Sequence, residues 1–229
     1  MIITDCQSKS PAYFLDNILS GRIKTEIAFQ PIWDLQKMKV FGFEALARWK
    51  NLRPDEVFLE AAQKHSVLEL ETLILAEICR IKKSTKEKTF INVHPSLPNP
   101  YSWECLKGQN VILEITESDS ICFPALNILR DLGFTLALDD FDTGSATLEA
   151  LCLVEPEYIK LDKSLIQSKN VASRDSLITA FVGHAVRLNS KVIVEGIETR
   201  EQLQAARING AHYGQGYFLG KPEILFLGF

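Results

Sequence analysis

The chain has 229 residues, of which 46% are hydrophobic and 24% charged. These proportions suit one globular domain with a buried core and exclude a disordered or fibrous polypeptide. The formal net charge of −4 brings no basic excess, so a binder of DNA or RNA polymer is not expected.

In chain order, residues 12–20 have helical apolar spacing, with Gly21 as the stop. Residues 25–34 and 39–48 read as strands, and the short connection Leu35-Gln36-Lys37-Met38 makes them an antiparallel hairpin. Pro54 opens a helical segment through His65 with Val57, Phe58, Ala61 and Ala62 on one face. A second helix is predicted over 69–83. Strand-like runs follow at 89–93, 111–116, 134–139, 158–162, 191–196 and 212–218. Helices are predicted between them near 121–132, 147–154 and 173–188, and after Thr199, where Thr199-x-x-Gln202 is a possible capping box. About eight strands alternating with helices, undivided by any linker, predict one α/β domain over 1–229. A closed (β/α)8 barrel fits this better than an open sheet. No Gly-x-Gly-x-x-Gly follows a strand, which speaks against a dinucleotide-binding sheet.

The cysteines, Cys6, Cys79, Cys105, Cys122 and Cys152, are odd in number and form no C-x-x-C pair. A disulfide framework or zinc site is therefore not expected, and a reducing compartment is. The N-terminal MIITDCQSKSPAYF lacks the pattern of a signal peptide. No apolar run approaches the ~20 residues that span a bilayer. A soluble, cytoplasmic protein that does not engage a membrane is expected.

The informative residues are polar ones late in the strand-like runs: Glu44, Asn92, Glu114, Asp139, Asp140, Lys160, Asp162, Glu195 and Gln215. In a parallel barrel such positions meet at the C-terminal mouth. Lys160 and Asp162 alternate with Ile159 and Leu161, so both are predicted on one face. Carboxylates gathered at one rim repel each other, and Lys160 is the only cation among these residues. A divalent metal relieves this, and oxygen ligands without His or Cys favour Mg2+ or Mn2+ over Zn2+. His65, His94, His184 and His212 show no ligand spacing. Single acids of this kind also serve as helix caps or rim ion pairs, and paired carboxylates on a barrel rim also suit a glycosidase.

The motifs resemble the EAL domain family of bacterial cyclic di-GMP phosphodiesterases. The resemblance rests on Phe29-Gln30-Pro31-Ile32, Glu44-Ala45-Leu46-Ala47-Arg48-Trp49, Asn92-Val93 and Glu114-Ile115-Thr116-Glu117. It continues through Asp139-Asp140-Phe141, Lys160-Leu161-Asp162, Glu195-Gly196-Ile197-Glu198 and Gln215-Gly216-Tyr217. It implies a TIM-like barrel with one antiparallel strand, and hydrolysis of cyclic di-GMP to linear pGpG with two Mg2+ or Mn2+ ions, in a homodimer. It further implies that Glu44, Asn92, Glu114 and Asp139 hold the first metal and Asp140 the second. Lys160 and Glu195 take catalytic roles, as the residue holding the attacking water and as general base or further metal carboxylate. Gln30, Leu46 and Arg48 match substrate contacts, with Arg48 on a phosphate. Glu117, Asp162, Glu198 and Gln215 match supporting residues.

One segment departs from the family pattern. Phe141-Asp142-Thr143-Gly144-Ser145-Ala146 carries Asp142 where the family more often has Gly, and Ser145-Ala146 where it has Tyr-Ser. If the backbone at 142 needs positive φ, Asp suits it less well than Gly. A catalytically weak family member that acts as a cyclic di-GMP receptor or protein-interaction module is the alternative reading. The apolar tail from Glu223 to Phe229 is predicted to pack on the barrel, with an interface as the alternative.

Overall fold

The computed structural model describes residues 11–93, 99–116, 122–141, 150, 151 and 153–224. Its strands are β1 (Glu26–Asp34), β2 (Lys39–Arg48), β3 (Thr89–Val93), β4 (Val111–Thr116), β5 (Thr135–Phe141), β6 (Tyr158–Leu161), β7 (Lys191–Val194) and β8 (Tyr213–Gly214). They close into one barrel in chain order. β1 runs antiparallel to both of its neighbours, β2 and β8. All other neighbours are parallel. This is the TIM-like barrel with one antiparallel strand that the sequence implies.

The reversal is made locally. Asp34 Oδ1 accepts the backbone N–H groups of Gln36 at 3.0 Å and Lys37 at 2.8 Å. Met38 completes the turn at φ 49°. A short polar side chain that satisfies the turn's own donors is the usual chemistry of such a connection.

Helices α1 (Pro11–Leu19), α2 (Pro54–Gln63) and α3 (Val67–Lys82) pack together around Leu15, Ile18, Trp49, Val57, Ala61 and Leu70. On α2 the buried face is Val57 and Ala61, while Ala62, expected on that face, is exposed. Helices α4 (Phe123–Asp131), α5 (Lys163–Ile166), α6 (Val171–Arg187) and α7 (Arg200–Ile208) follow. Residues 150, 151, 153 and 154 are helical, and the rest of the helix predicted near 147–154 lies outside the described residues. The capping box at α7 is formed. Thr199 Oγ1 accepts from Gln202 N at 3.2 Å, and Gln202 Oε1 accepts from Thr199 N at 3.0 Å. Two elements were not anticipated: a 3-10 helix at Pro100–Leu106 and the single-turn α5. β8 is only two residues long, against the predicted 212–218.

Strand alternation divides the core into two layers. Outward residues such as Leu113, Ile115, Leu136 and Leu138 meet the helices. Inward, Ile32, Phe90, Ile112, Ala137 and Ile193 form a floor, completed by Phe41, Tyr158 and Tyr213. Full burial of such side chains contributes about 1.5–3 kcal/mol each, so this floor is a firm base for whatever stands on it.

The expectation of unpaired cysteines is corrected. Cys79 on α3 and Cys105 on the 3-10 helix form a disulfide across a sequence separation of 26. Packing of α3 on the 3-10 helix brings them together, so no local spacing announces the pair. Cysteine spacing accordingly gives no warrant for a reducing compartment. Among the described residues no helix is long and apolar enough to cross a membrane.

Candidate active site

The polar layer stands directly on the apolar floor. On each parallel strand from β3 to β7 the floor residue is followed two positions later by a site residue. Phe90 leads to Asn92, Ile112 to Glu114, Ala137 to Asp139, Tyr158 to Lys160 and Ile193 to Glu195. Tyr213 of β8 leads likewise to Gln215, and the reversed β1 runs from Gln30 to Ile32. A two-residue step keeps a side chain on the same face and raises it by one pleat. The strand register then sets neighbours side by side: Gln30 with Glu44, and Asn92 with Glu114.

Lys160 lies at the centre, 1% exposed. Its Nζ is 2.8 Å from Glu114 Oε1, 2.8 Å from Glu195 Oε1, 2.9 Å from Asp139 Oδ1 and 3.7 Å from Glu44 Oε1. Burial alone would depress its pKa, but the surrounding carboxylates, Asp139 first, hold it well above the usual lysine value. The carboxylates respond in the opposite sense. Burial pushes Glu114 well up, and Glu44 and Asp139 add to this against the pull of Lys160. Glu195 is pushed up to about 8, by desolvation and then by Asp139 and Glu44. Asp140 is pushed up to about 6, by desolvation and then by Asp139. One ammonium thus faces five carboxylates, and part of the excess charge is removed by retained protons.

The amides bind the layer together. Gln215 Nε2 donates to Glu44 Oε2 at 2.6 Å and to Gln30 Oε1 at 3.1 Å. Asn92 Nδ2 donates to Glu44 Oε1 at 3.1 Å. Gln30 Nε2 donates to the Gly220 carbonyl at 3.2 Å. Asp140 reaches the site through a local irregularity. It sits at φ 54° where the β5–β6 register slips between Leu138 and Phe141, and its N–H donates to Asp139 Oδ1 at 3.0 Å. Left-handed backbone at a bulge re-aims a side chain, and it clusters at functional sites.

Fully buried Glu114 lines neither of the two cavities between which most of the other residues predicted from the sequence divide. Gln30, Glu44, Leu46, Asp139, Asp140, Lys160, Glu195, Glu198 and Gln215 line one of about 350 Å3. Arg48 and Asn92 line a neighbouring one of about 340 Å3, to which Leu46 also contributes. Arg48 Nη1 there donates to the carbonyl of Ala47 at 2.8 Å. Asp162 follows the last residue of β6 and stands close enough to Asp140 to help push that carboxyl up. Its Oδ1 also caps α5 by accepting from Ser164 N at 2.8 Å. Glu117 and the departing segment at Asp142 and Ser145 lie outside the described residues. Sequence reasoning did not single out Lys163 and Tyr217, which also line the acidic cavity. Lys163 directly follows a quoted motif and Tyr217 closes one without being given a role, and their positions just beyond strand ends were the available signal.

The donor set fits a hard divalent cation. Asp139, Asp140 and Glu195 each present a carboxylate oxygen, and these oxygens lie within 4.8 Å of one another. Buried Glu114 has no aligned hydrogen-bond donor at either oxygen, although Oε1 faces the Lys160 ammonium. Gln215 Oε1 is likewise without a hydrogen-bond partner. Buried acceptors left in this way are costly unless a cation or water meets them.

Comparison with known proteins decides the family. The model of the EAL domain matches residues 16–222. This chain belongs to the EAL domain family. Among curated EAL relatives, the probable cyclic di-GMP phosphodiesterase PdeD of Escherichia coli is 31% identical over 222 residues, covering 87% of this chain and 42% of PdeD. The oxygen sensor protein DosP of the same organism is 30% identical over 225 residues, covering 86% of this chain and 28% of DosP. The chain thus spans under half the length of these relatives. The FimX EAL domain of Pseudomonas aeruginosa bound to c-di-GMP superposes with a TM-score of 0.84, covering 95% of this chain and 98% of that one. At 20% identity that likeness speaks for the fold. A Klebsiella pneumoniae BlrP1 calcium/cy-diGMP complex is 27% identical with a TM-score of 0.72, covering 87% of this chain and 57% of BlrP1.

Proposed function

We propose that this EAL domain is a metal-dependent phosphodiesterase that hydrolyses cyclic di-GMP to linear pGpG. The observation that carries the reading is the carboxylate layer around buried Lys160, with Glu114 Oε2 and Gln215 Oε1 lacking a hydrogen-bond partner. In this reading Glu44, Asn92, Glu114 and Asp139 hold one Mg2+ or Mn2+, and Asp140 serves a second. Bound divalent ions supply a lowered pKa for water and neutralise charge growing on the phosphoryl oxygens.

The chain's own groups do the rest. Lys160 Nζ sits among the ligand carboxylates, so its positive charge favours an ionised nucleophile there. Glu195, whose carboxyl titrates high in the metal-free protein, accepts the proton that the attacking water gives up. The new P–O bond forms as the bond from phosphorus to the 3′-oxygen breaks, and the leaving 3′-oxygen takes a proton from solvent water. Gln30 and Leu46 face the substrate from the acidic cavity. Arg48 approaches a phosphate from the neighbouring one, where its guanidinium can donate two parallel hydrogen bonds. Gln215, Glu198, Asp162 and Glu117 serve in support, Gln215 by orienting Glu44. A cytoplasmic homodimer completes the proposal.

The altered segment at Asp142 and Ser145 favours one second reading, a receptor that binds cyclic di-GMP without useful turnover. Calorimetry and product chromatography on the same sample separate the two. Binding accompanied by pGpG that depends on Mg2+ or Mn2+ supports the enzyme. Tight binding with the dinucleotide intact supports the receptor. For the enzyme, Glu44→Ala abolishes nearly all turnover.

A further inference from the structure

The bond between Cys79 and Cys105 closes a covalent loop around one strand of the site. Inside the loop run the end of α3, the whole of β3 with Asn92, and most of the 3-10 helix. Both ends of the loop border the site. Ile78, directly before Cys79, is buried and lines the cavity that holds Arg48 and Asn92, as do Ile74 and Glu71 of the same helix. Cys105 stands between buried Trp103 and Leu106, on the helix that leads into β4 and its Glu114. Gln109 Nε2 donates to the Cys105 carbonyl at 2.8 Å, and Gln109 N to the Leu106 carbonyl at 3.1 Å. Thr89 N, at the start of β3, donates to the Asn110 carbonyl at 3.1 Å. The register then sets Asn92 beside Glu114. The bond therefore clasps the two connections that place these neighbouring side chains.

The clasp is open to chemistry. Cys105 is exposed, while Cys79 packs half-buried against the core. Thiol exchange needs one sulfur within reach of an attacking thiolate. In a cytoplasmic protein, as the proposed function has it, a disulfide is usually transient and redox-sensing rather than permanent.

We propose that Cys79–Cys105 is a redox modification site that governs how firmly β3 presents Asn92. Its effect on turnover rests on the proposed function, whereas the exchange itself does not. The co-reactant is a dithiol. One of its thiolates attacks Cys105 Sγ, the Sγ–Sγ bond breaks, and Cys79 leaves as a thiolate and takes a proton. The second thiol of the reductant then attacks its own sulfur in the mixed disulfide, and Cys105 leaves and is protonated in turn. The chain gains two electrons and two protons, and the dithiol ends as a disulfide. Closed, the loop restricts the connections on both sides of β3; opened, it lets them fluctuate.

The test compares oxidised wild type with wild type reduced by dithiothreitol and desalted without air, beside Cys79→Ser and Cys105→Ser. Alkylation and mass spectrometry should find Cys79 and Cys105 blocked in the first sample and labelled in the second. Amide hydrogen exchange over residues 86–93 is expected to quicken on reduction. Half-saturating Mn2+ for cyclic di-GMP hydrolysis is expected to rise about tenfold, the lower end of the cost of weakening a metal ligand's support. Both serine variants should match the reduced wild type and ignore the reductant. The wild-type comparison needs no substitution, so it stands even where a variant fails to fold. Exchange and Mn2+ dependence that are unchanged on reduction overturn the site, as does a redox response that persists in the serine variants. If the wild type hydrolyses no cyclic di-GMP in either state, the functional reading falls. Hydrogen exchange then still decides whether the bond controls β3.

Discussion

Asp140 pays a backbone penalty to stand where it does. Its φ of 54° lies in the left-handed region, which costs most L-residues roughly 1–2 kcal/mol and Asp or Asn less. Glycine adopts the region without that cost. Metal-free Asp140→Gly is therefore expected to match or exceed wild-type stability, and Asp140→Ala to fall about 1 kcal/mol below the glycine variant by urea unfolding. Both lose metal-dependent turnover. An alanine variant as stable as the glycine variant would show that the backbone there relaxes freely. Lys160 presents the opposite case, a buried charge whose removal leaves its partners exposed to one another. Removing one partner of a buried ion pair typically costs about 3–5 kcal/mol. Lys160→Met should show a loss of that order at pH 8, shrinking towards pH 5 as Glu114 and its neighbours take up protons. A loss independent of pH would argue that packing, not charge, is what Lys160 supplies.

Among the elements, the disulfide between α3 and the 3-10 helix has a separable contribution. Closing a loop across the separation of 26 restricts the unfolded chain by about 3.5 kcal/mol on the chain-entropy model. Unfolding midpoints should therefore drop in Cys79→Ser under oxidising conditions, with the difference vanishing in dithiothreitol. Wild type and variant behaving alike without reductant would refute the contribution. The pair was illegible in the sequence because only tertiary packing joins its halves. The strands were legible because alternation is strong: Val111 to Thr116 places Ile112 and Glu114 inward and Leu113 and Ile115 outward. Alternation did not announce that Asp162, one residue past the end of β6, also caps α5. β8 was overextended because the run 212–218 is apolar enough for a strand, yet Gln215 to Gly220 is a turn bonded to Ile197. Short elements held by one cap or one close glycine contact leave little periodic trace.

For the molecule as a whole, the barrel gathers carboxylates from β2, β4, β5 and β7 into one layer, and that layer sets a pH dependence. The folded pKa values of Asp140 and Glu195 are raised, to about 6 and about 8, against unfolded values near 4. Over the intervening range the folded state holds protons that the unfolded state has released, so stability falls as pH rises. His212, shifted down by burial, loses stability only below its unfolded value of about 6.5. The window from pH 6.5 to 8 therefore isolates the carboxylates. In EDTA the urea midpoint should fall across it, and Mn2+ should flatten or reverse the slope by replacing protons. A midpoint that rises in EDTA would contradict the raised carboxylates. The sequence made this layer visible as polar residues closing apolar runs, but not the central place of Lys160 or the division of Arg48 and Asn92 into a second cavity. Those depend on side-chain direction at the mouth, which alternation alone does not specify. The most direct test of the whole account is pGpG formation from cyclic di-GMP as Mn2+ is titrated, for the wild type and Glu114→Gln. The account predicts product that rises with Mn2+, is absent in EDTA and is lost in the variant. An intact dinucleotide at every Mn2+ concentration, or hydrolysis that survives EDTA, would contradict it.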